Sequence, residues 1–130
     1  MTSHQKAETL YVVNYALLAT HEVDSAYWHE WTMFGLPGGI QLFLVLNAVL
    51  LLLFAVGLAQ LARGVRAGVW LSLGLAASGI TAFVLHGVFL WRGHPAFRLP
   101  ASLALLALTL VVSAAQAWYS VRLLRKPVVH

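Results

Sequence analysis

Between Ile40 and Leu61 the chain carries no charged residue, and only Gln41, Asn47 and Gln60 interrupt its apolar side chains. Backbone groups at bilayer depth find no water. A stretch of this kind therefore closes its hydrogen bonds within one helix, and about 20 residues suffice to cross the hydrocarbon core. Two further runs read the same way: Val69 to Trp91, interrupted by Ser72, Ser78, Thr81 and His86, and Ala101 to Tyr119. Turn-formers and charges separate the runs, with Gly35, Pro37, Gly38 and Gly39 before the first, Arg63-Gly64-Val65-Arg66 between the first two, and Arg92-Gly93-His94-Pro95 through Pro100 before the last. Such short connections force sequential helices to pack antiparallel.

A fourth span is expected over residues 7–31, where the length is right but only the first half is apolar. No small-residue cleavage site follows a basic segment, so this stretch reads as a retained helix rather than a signal peptide. The expected fold is all-α: one integral membrane four-helix bundle over residues 1–130, with helices at about 7–31, 40–61, 69–91 and 101–119. Composition agrees, with 61% hydrophobic and 9% charged residues against roughly a quarter charged in soluble domains. The absence of cysteine excludes disulfides, thiolate metal sites and a cysteine nucleophile. The eight basic residues sit at helix ends rather than in a patch with aromatic platforms, which argues against nucleic acid as a partner. They sort by side: Lys6, Arg63, Arg66, Arg122, Arg125 and Lys126 on one, Arg92 and Arg98 on the other. The positive-inside rule then places both termini in the cytoplasm of a multi-pass protein of the bacterial inner membrane. Trp28, Trp31, Trp91 and Phe97 are expected in the outer aromatic belt, and Trp118 and Tyr119 in the inner one.

Against this background the segment Thr20 to Trp31 stands out, because it holds Glu22, Asp24 and Glu30, three of the four carboxylates, together with His21 and His29. On a helix at 100° per residue, Tyr11, Asn14, His21, Glu22, Asp24, Ser25 and His29 share one broad polar arc, while Val12, Ala16, Ala19, Val23 and Ala26 lie opposite. Glu30 falls outside that arc and is expected at the water interface. Aligning Trp31 with Trp91 places His86 about 8 Å, Asp24 about 11 Å and His21 about 15 Å below the outer boundary. Asn47 lands at about 13 Å on that scale and His94 sits in the loop above.

Imidazoles and a carboxylate at one level of a helical bundle suit a divalent metal such as zinc, iron or manganese. The expected ligands are His21, Asp24 and His86, with His29 or Glu22 as a fourth, and Glu22 or Glu30 is the candidate catalytic base. A bis-histidine haem would need His21 or His29 to face His86. A proton relay would use the same buried groups without a metal. A purely structural role for His21 and Asp24 would be an interhelical hydrogen bond, and His29, Glu30 and His94 would then simply lie among the headgroups. Gly74, Ala76, Ala77 and Gly79 read as close-packing positions. The tail residue His130 is expected to be dispensable.

His21-Glu22-Val23-Asp24-Ser25-Ala26, followed by His29-Glu30-Trp31 and Phe34-Gly35-Leu36-Pro37, resembles the uncharacterised small four-helix bacterial membrane proteins that carry a His-Glu-aliphatic-Asp-Ala motif and a following Glu-Trp. A related group carries His-x-x-Glu-Glu in its first helix; here Asp24 takes the first acidic position and Ser25 replaces the second. The resemblance implies a four-helix membrane fold and functional roles for His21, Asp24 and Glu30, and it implies no particular reaction. Two functions are expected as alternatives. One is a metal-binding membrane protein acting on a lipid or quinone near the outer face. The other is an accessory subunit whose polar first helix docks into a larger redox or light-harvesting membrane complex or into a second copy of itself.

Overall fold

The computed structural model of the protein describes residues 1–125. Lys126, one of the six inward charges, and the tail residue His130 lie outside the described residues. The helices are α1 (Ser3–Tyr27), α2 (Glu30–Met33), α3 (Gly39–Ala62), α4 (Arg66–Trp91) and α5 (Pro100–Arg125). Four are long, and three of these, α3, α4 and α5, are long and apolar enough to cross a membrane. Their outward faces carry residues such as Leu44, Val49, Leu52, Val84, Leu108 and Val111, which suit a hydrocarbon solvent.

α1 begins at a capping box: the Gln5 N–H donates to the Thr2 hydroxyl at 3.2 Å, and the Thr2 N–H donates to Gln5 Oε1 at 2.8 Å. It ends earlier than the polar arc predicts, at Tyr27 rather than near Trp31. The cause is His29, which sits in the left-handed region at φ 53° and breaks the helical path. The Trp28 indole turns back to donate to Asp24 Oδ1 at 3.1 Å. The chain then restarts as the single turn α2. The single first helix expected over 7–31 is therefore two elements, and that break relocates everything after Tyr27. At the other end of the chain α5 runs past Tyr119 to Arg125, with Arg122 lying over the Trp118 ring at 4.8 Å.

Neighbouring long helices run antiparallel. Along the α1–α5 seam, Lys6 meets Tyr119 at one end (5.5 Å to the ring), Asn14 meets Gln116 in the middle (2.7 Å) and Asp24 meets Ser102 at the other end (3.0 Å). Ser3 and Arg125 thus share one end of the bundle, while α2 and the α4–α5 loop share the opposite end. Close approach of the helices relies on small residues: a Cβ at Gly79 would collide with Ser113 and Thr109 of α5, and one at Gly57 with the Tyr11 hydroxyl. Ala76 is buried as expected of a packing position, whereas Gly74 is half-buried and Ala77 faces outward.

The core is apolar around Tyr11, Leu18, Phe54, Leu61, Val69 and Leu75, with the Tyr11 hydroxyl donating to the Phe54 carbonyl at 2.7 Å. Beside it lies a polar layer. Asn14 donates to Gln116 Oε1 and to Ser113 (3.0 Å); Gln116 donates to the Ser72 carbonyl and hydroxyl (3.1 and 2.9 Å); Ser72 and Ser120 share a hydrogen bond at 2.8 Å. The network ties α1, α4 and α5 together where no water competes for the same groups.

Candidate metal centre

At the α2 end of the bundle three side chains converge from three elements. His21 comes from the buried stripe of α1, which runs Ala7, Tyr11, Asn14, Leu18, His21, Ser25 at helical spacing. His86 comes from the last two turns of α4, and Glu30 opens α2. One ligand atom from each lies within 4.8 Å of the other two. Glu30 Oε2 is 3.8 Å from His86 Nε2, and the two imidazoles meet edge to face at 4.8 Å between centroids.

The hydrogen-bonding state of these atoms is unusual for buried groups. His21 is 4% exposed and His86 1%, yet His21 Nδ1, His86 Nε2 and Glu30 Oε2 have no hydrogen-bond partner. The opposite nitrogen of each ring is engaged. His86 Nδ1 donates to the Ala82 carbonyl at 2.7 Å, which in the neutral ring leaves Nε2 as a lone pair facing the cluster. His21 Nε2 lies 3.4 Å from the Ser25 hydroxyl, leaving Nδ1 turned the same way. Burial alone would push the Glu30 carboxyl up; the facing His86 imidazole and the Ser25 hydroxyl outweigh it and hold the group below the usual carboxylate range. Glu22 lines the same cleft, half-buried, with Asn47 of α3 beside it. Asn47 donates its amide to the Phe43 carbonyl at 2.9 Å and leaves its own buried Oδ1 unpaired. Among the described residues no Lys or Arg forms an ion pair with Glu22 or Glu30.

The expected ligand set is thus rearranged. His21 and His86 come together. Asp24 does not join them: its Oδ1 accepts from Trp28 and from Ser102, turning the carboxylate toward α5. Glu30 takes the place that Asp24 was expected to hold, because the left-handed turn at His29 swings α2 back over the bundle end instead of carrying Glu30 out to the interface. His29 itself is exposed, with its ring 5.0 Å from Trp31, and His94 shapes its own loop by accepting the Ala96 N–H at 3.2 Å. Phe97, expected in the aromatic belt, is 1% exposed and packs 4.3 Å from the His86 ring and 6.0 Å from the His21 ring. A left-handed backbone at φ 61° tucks it inward, so that it seals the imidazoles from the loop side.

A cleft of about 540 Å³ leads away from the cluster, with His21, Glu22, Glu30 and His86 at its polar end and Leu18, Leu50 among its apolar walls. The contributions of Phe97 and the Ser72–Gln116 layer were not anticipated from the sequence. For α5 a signal existed: Ser102, Thr109, Ser113, Gln116 and Ser120 recur at helical spacing and mark one buried face. For Phe97 none did, since a loop residue carries no periodicity.

No curated protein and no solved structure matches this chain. A family model, described as a family of unknown function, matches residues 7–123, nearly the whole described bundle including His21, Glu30 and His86. The chain belongs to that family of unknown function, DUF6713.

Proposed function

We propose that this protein is a multi-pass protein of the bacterial inner membrane, with cytoplasmic termini, that binds one divalent metal ion through His21, Glu30 and His86 near the outer face. The observation that carries the reading is the convergence of three buried, unpartnered ligand atoms, two of them on imidazole rings whose far nitrogen is engaged by Ser25 or by the Ala82 carbonyl. Around an ion with bonds near 2.1 Å, tetrahedral ligand atoms stand about 3.4 Å apart, a contraction that side-chain rotation supplies. The charge balance agrees: among the described residues Glu30 has no Lys or Arg partner, and a divalent cation beside it would offset its charge. Two imidazoles and a carboxylate suit zinc, iron or manganese, with Glu22 placed to act as a further ligand or as a base toward a metal-bound water.

Elemental analysis of the purified protein tests this. About one equivalent of a single divalent metal is expected in the wild type. His21→Ala, His86→Ala and Glu30→Gln should each lose most of it, because an incomplete shell binds weakly, whereas Asp24→Asn should retain it. A metal-free wild type, or His21→Ala and His86→Ala proteins with full metal content, overturns the proposal.

A further inference from the structure

We infer that the groove between α1 and α5 is a binding site for a membrane phospholipid whose headgroup carries an ammonium N–H donor, with the Asp24 carboxylate as its acceptor. This site is separate from the metal cluster and does not depend on it. The groove encloses about 640 Å³ and is walled by Val23, Leu99, Leu105 and Leu108, with Asp24 and Ser102 at one level. That volume lies within the range of small-molecule sites.

Polarity within the groove is confined to one level. Asp24 Oδ1 accepts both available protein donors, from Trp28 and Ser102, while Oδ2 is buried and has no partner. Of the other polar residues in the wall, Thr20 turns its hydroxyl back onto the Ala16 carbonyl at 2.8 Å, and Tyr27 lies one turn beyond Asp24 at the end of α1, on the headgroup side. From Leu99 to Leu108 the α5 wall extends about 13 Å, and Asp24 sits one turn inside the end of α1 at Tyr27. The carboxylate is therefore near headgroup depth, with an acyl-lined slot below it. An amphiphile with one polar end and a plain hydrocarbon tail matches this layout. A docking helix would present polar and apolar side chains along its length and would meet Asp24 alone. Because no Lys or Arg among the described residues pairs with Asp24, the complementary headgroup is cationic, and a charge-assisted N–H donor completes the unpaired oxygen.

Native mass spectrometry of the purified, metal-replete protein released from detergent tests the assignment with three lipids of identical acyl chains. Phosphatidylethanolamine offers an N–H donor, phosphatidylcholine a cation without one, and phosphatidylglycerol neither. The expected result is about tenfold stronger retention of phosphatidylethanolamine, the scale of one charge-assisted hydrogen bond. Asp24→Asn should reduce it to the phosphatidylcholine level, Leu105→Trp should lower retention of all three by filling the slot, and His21→Ala should leave the preference unchanged. Equal retention of the three lipids by the wild type, or a preference that survives Asp24→Asn, overturns the inference. So does an Asp24-dependent protein partner that co-purifies while no lipid preference is seen. Should Asp24→Asn fail to fold, the wild-type comparison and Leu105→Trp still decide.

Discussion

His21 and His86 each spend one ring nitrogen on the protein and hold the other, together with Glu30 Oε2, toward the same point, and this arrangement separates them from the other buried polar residues. Asn14 and Gln116 are equally buried but fully engaged with each other and with Ser72 and Ser113. Their role is adhesive. Gln116→Leu should leave the Asn14 amide and the Ser72 hydroxyl short of partners and lower stability by about 1–2 kcal/mol, read as a reduced midpoint in detergent thermal unfolding, with metal content unchanged. Acid should act through Glu30. Its carboxyl is held below the ordinary range in the folded protein, so its contribution to stability is fully present above the unfolded-state value near 4.5 and is lost as pH falls through the lower folded value. Metal-stripped protein should therefore lose stability as pH falls below that unfolded-state value, and Glu30→Gln should flatten that dependence. An unchanged acid profile in Glu30→Gln would show that the carboxylate is not coupled to folding.

At the scale of the element, the decisive feature is the break between α1 and α2. A continuous helix through Trp31 would have carried Glu30 about 180° away from His21, on the far side of the first helix. The left-handed turn at His29 reverses this and delivers the carboxylate to His86. The position needs a backbone conformation rather than an imidazole. His29→Gly should accordingly keep full metal content and raise stability by up to about 1 kcal/mol, whereas His29→Val, a β-branched residue at positive φ, should lower both. Loss of metal in His29→Gly would instead make the ring a ligand. The α4–α5 loop works the same way, since positive φ at Phe97 turns an aromatic ring into the wall of the site.

For the molecule as a whole, the antiparallel order of the four long helices sets the His21–Glu30–His86 cluster and the Asp24 groove at the end opposite Ser3 and Arg125. Lys6, Arg63, Arg66, Arg122 and Arg125 gather at the terminal end, and Arg92 and Arg98 at the other, so the proposed orientation puts the cluster near the outer face. Impermeant thiol labelling of intact cells checks it: Thr32→Cys, exposed in α2, should react, and Ser3→Cys should not. The opposite pattern would invert the protein and move the cluster to the cytoplasmic side.

The long apolar helices α3, α4 and α5 were legible in the sequence to within a few residues at most of their ends, because an uninterrupted apolar run permits no other structure in a hydrocarbon solvent. The buried stripe of α1 was legible too, since Tyr11, Asn14, His21 and Ser25 repeat at the period of the helix. The make-up of the His21–Glu30–His86 cluster was legible only in part. His21 and His86 follow from depth and spacing along regular helices. Which carboxylate meets them depends on where α1 stops, and that is fixed by one backbone rotation at His29 and by the Trp28 and Ser102 donors that hold Asp24 against α5. Periodicity describes a residue relative to its own helix axis. Only the packed structure decides which neighbour claims its side chain.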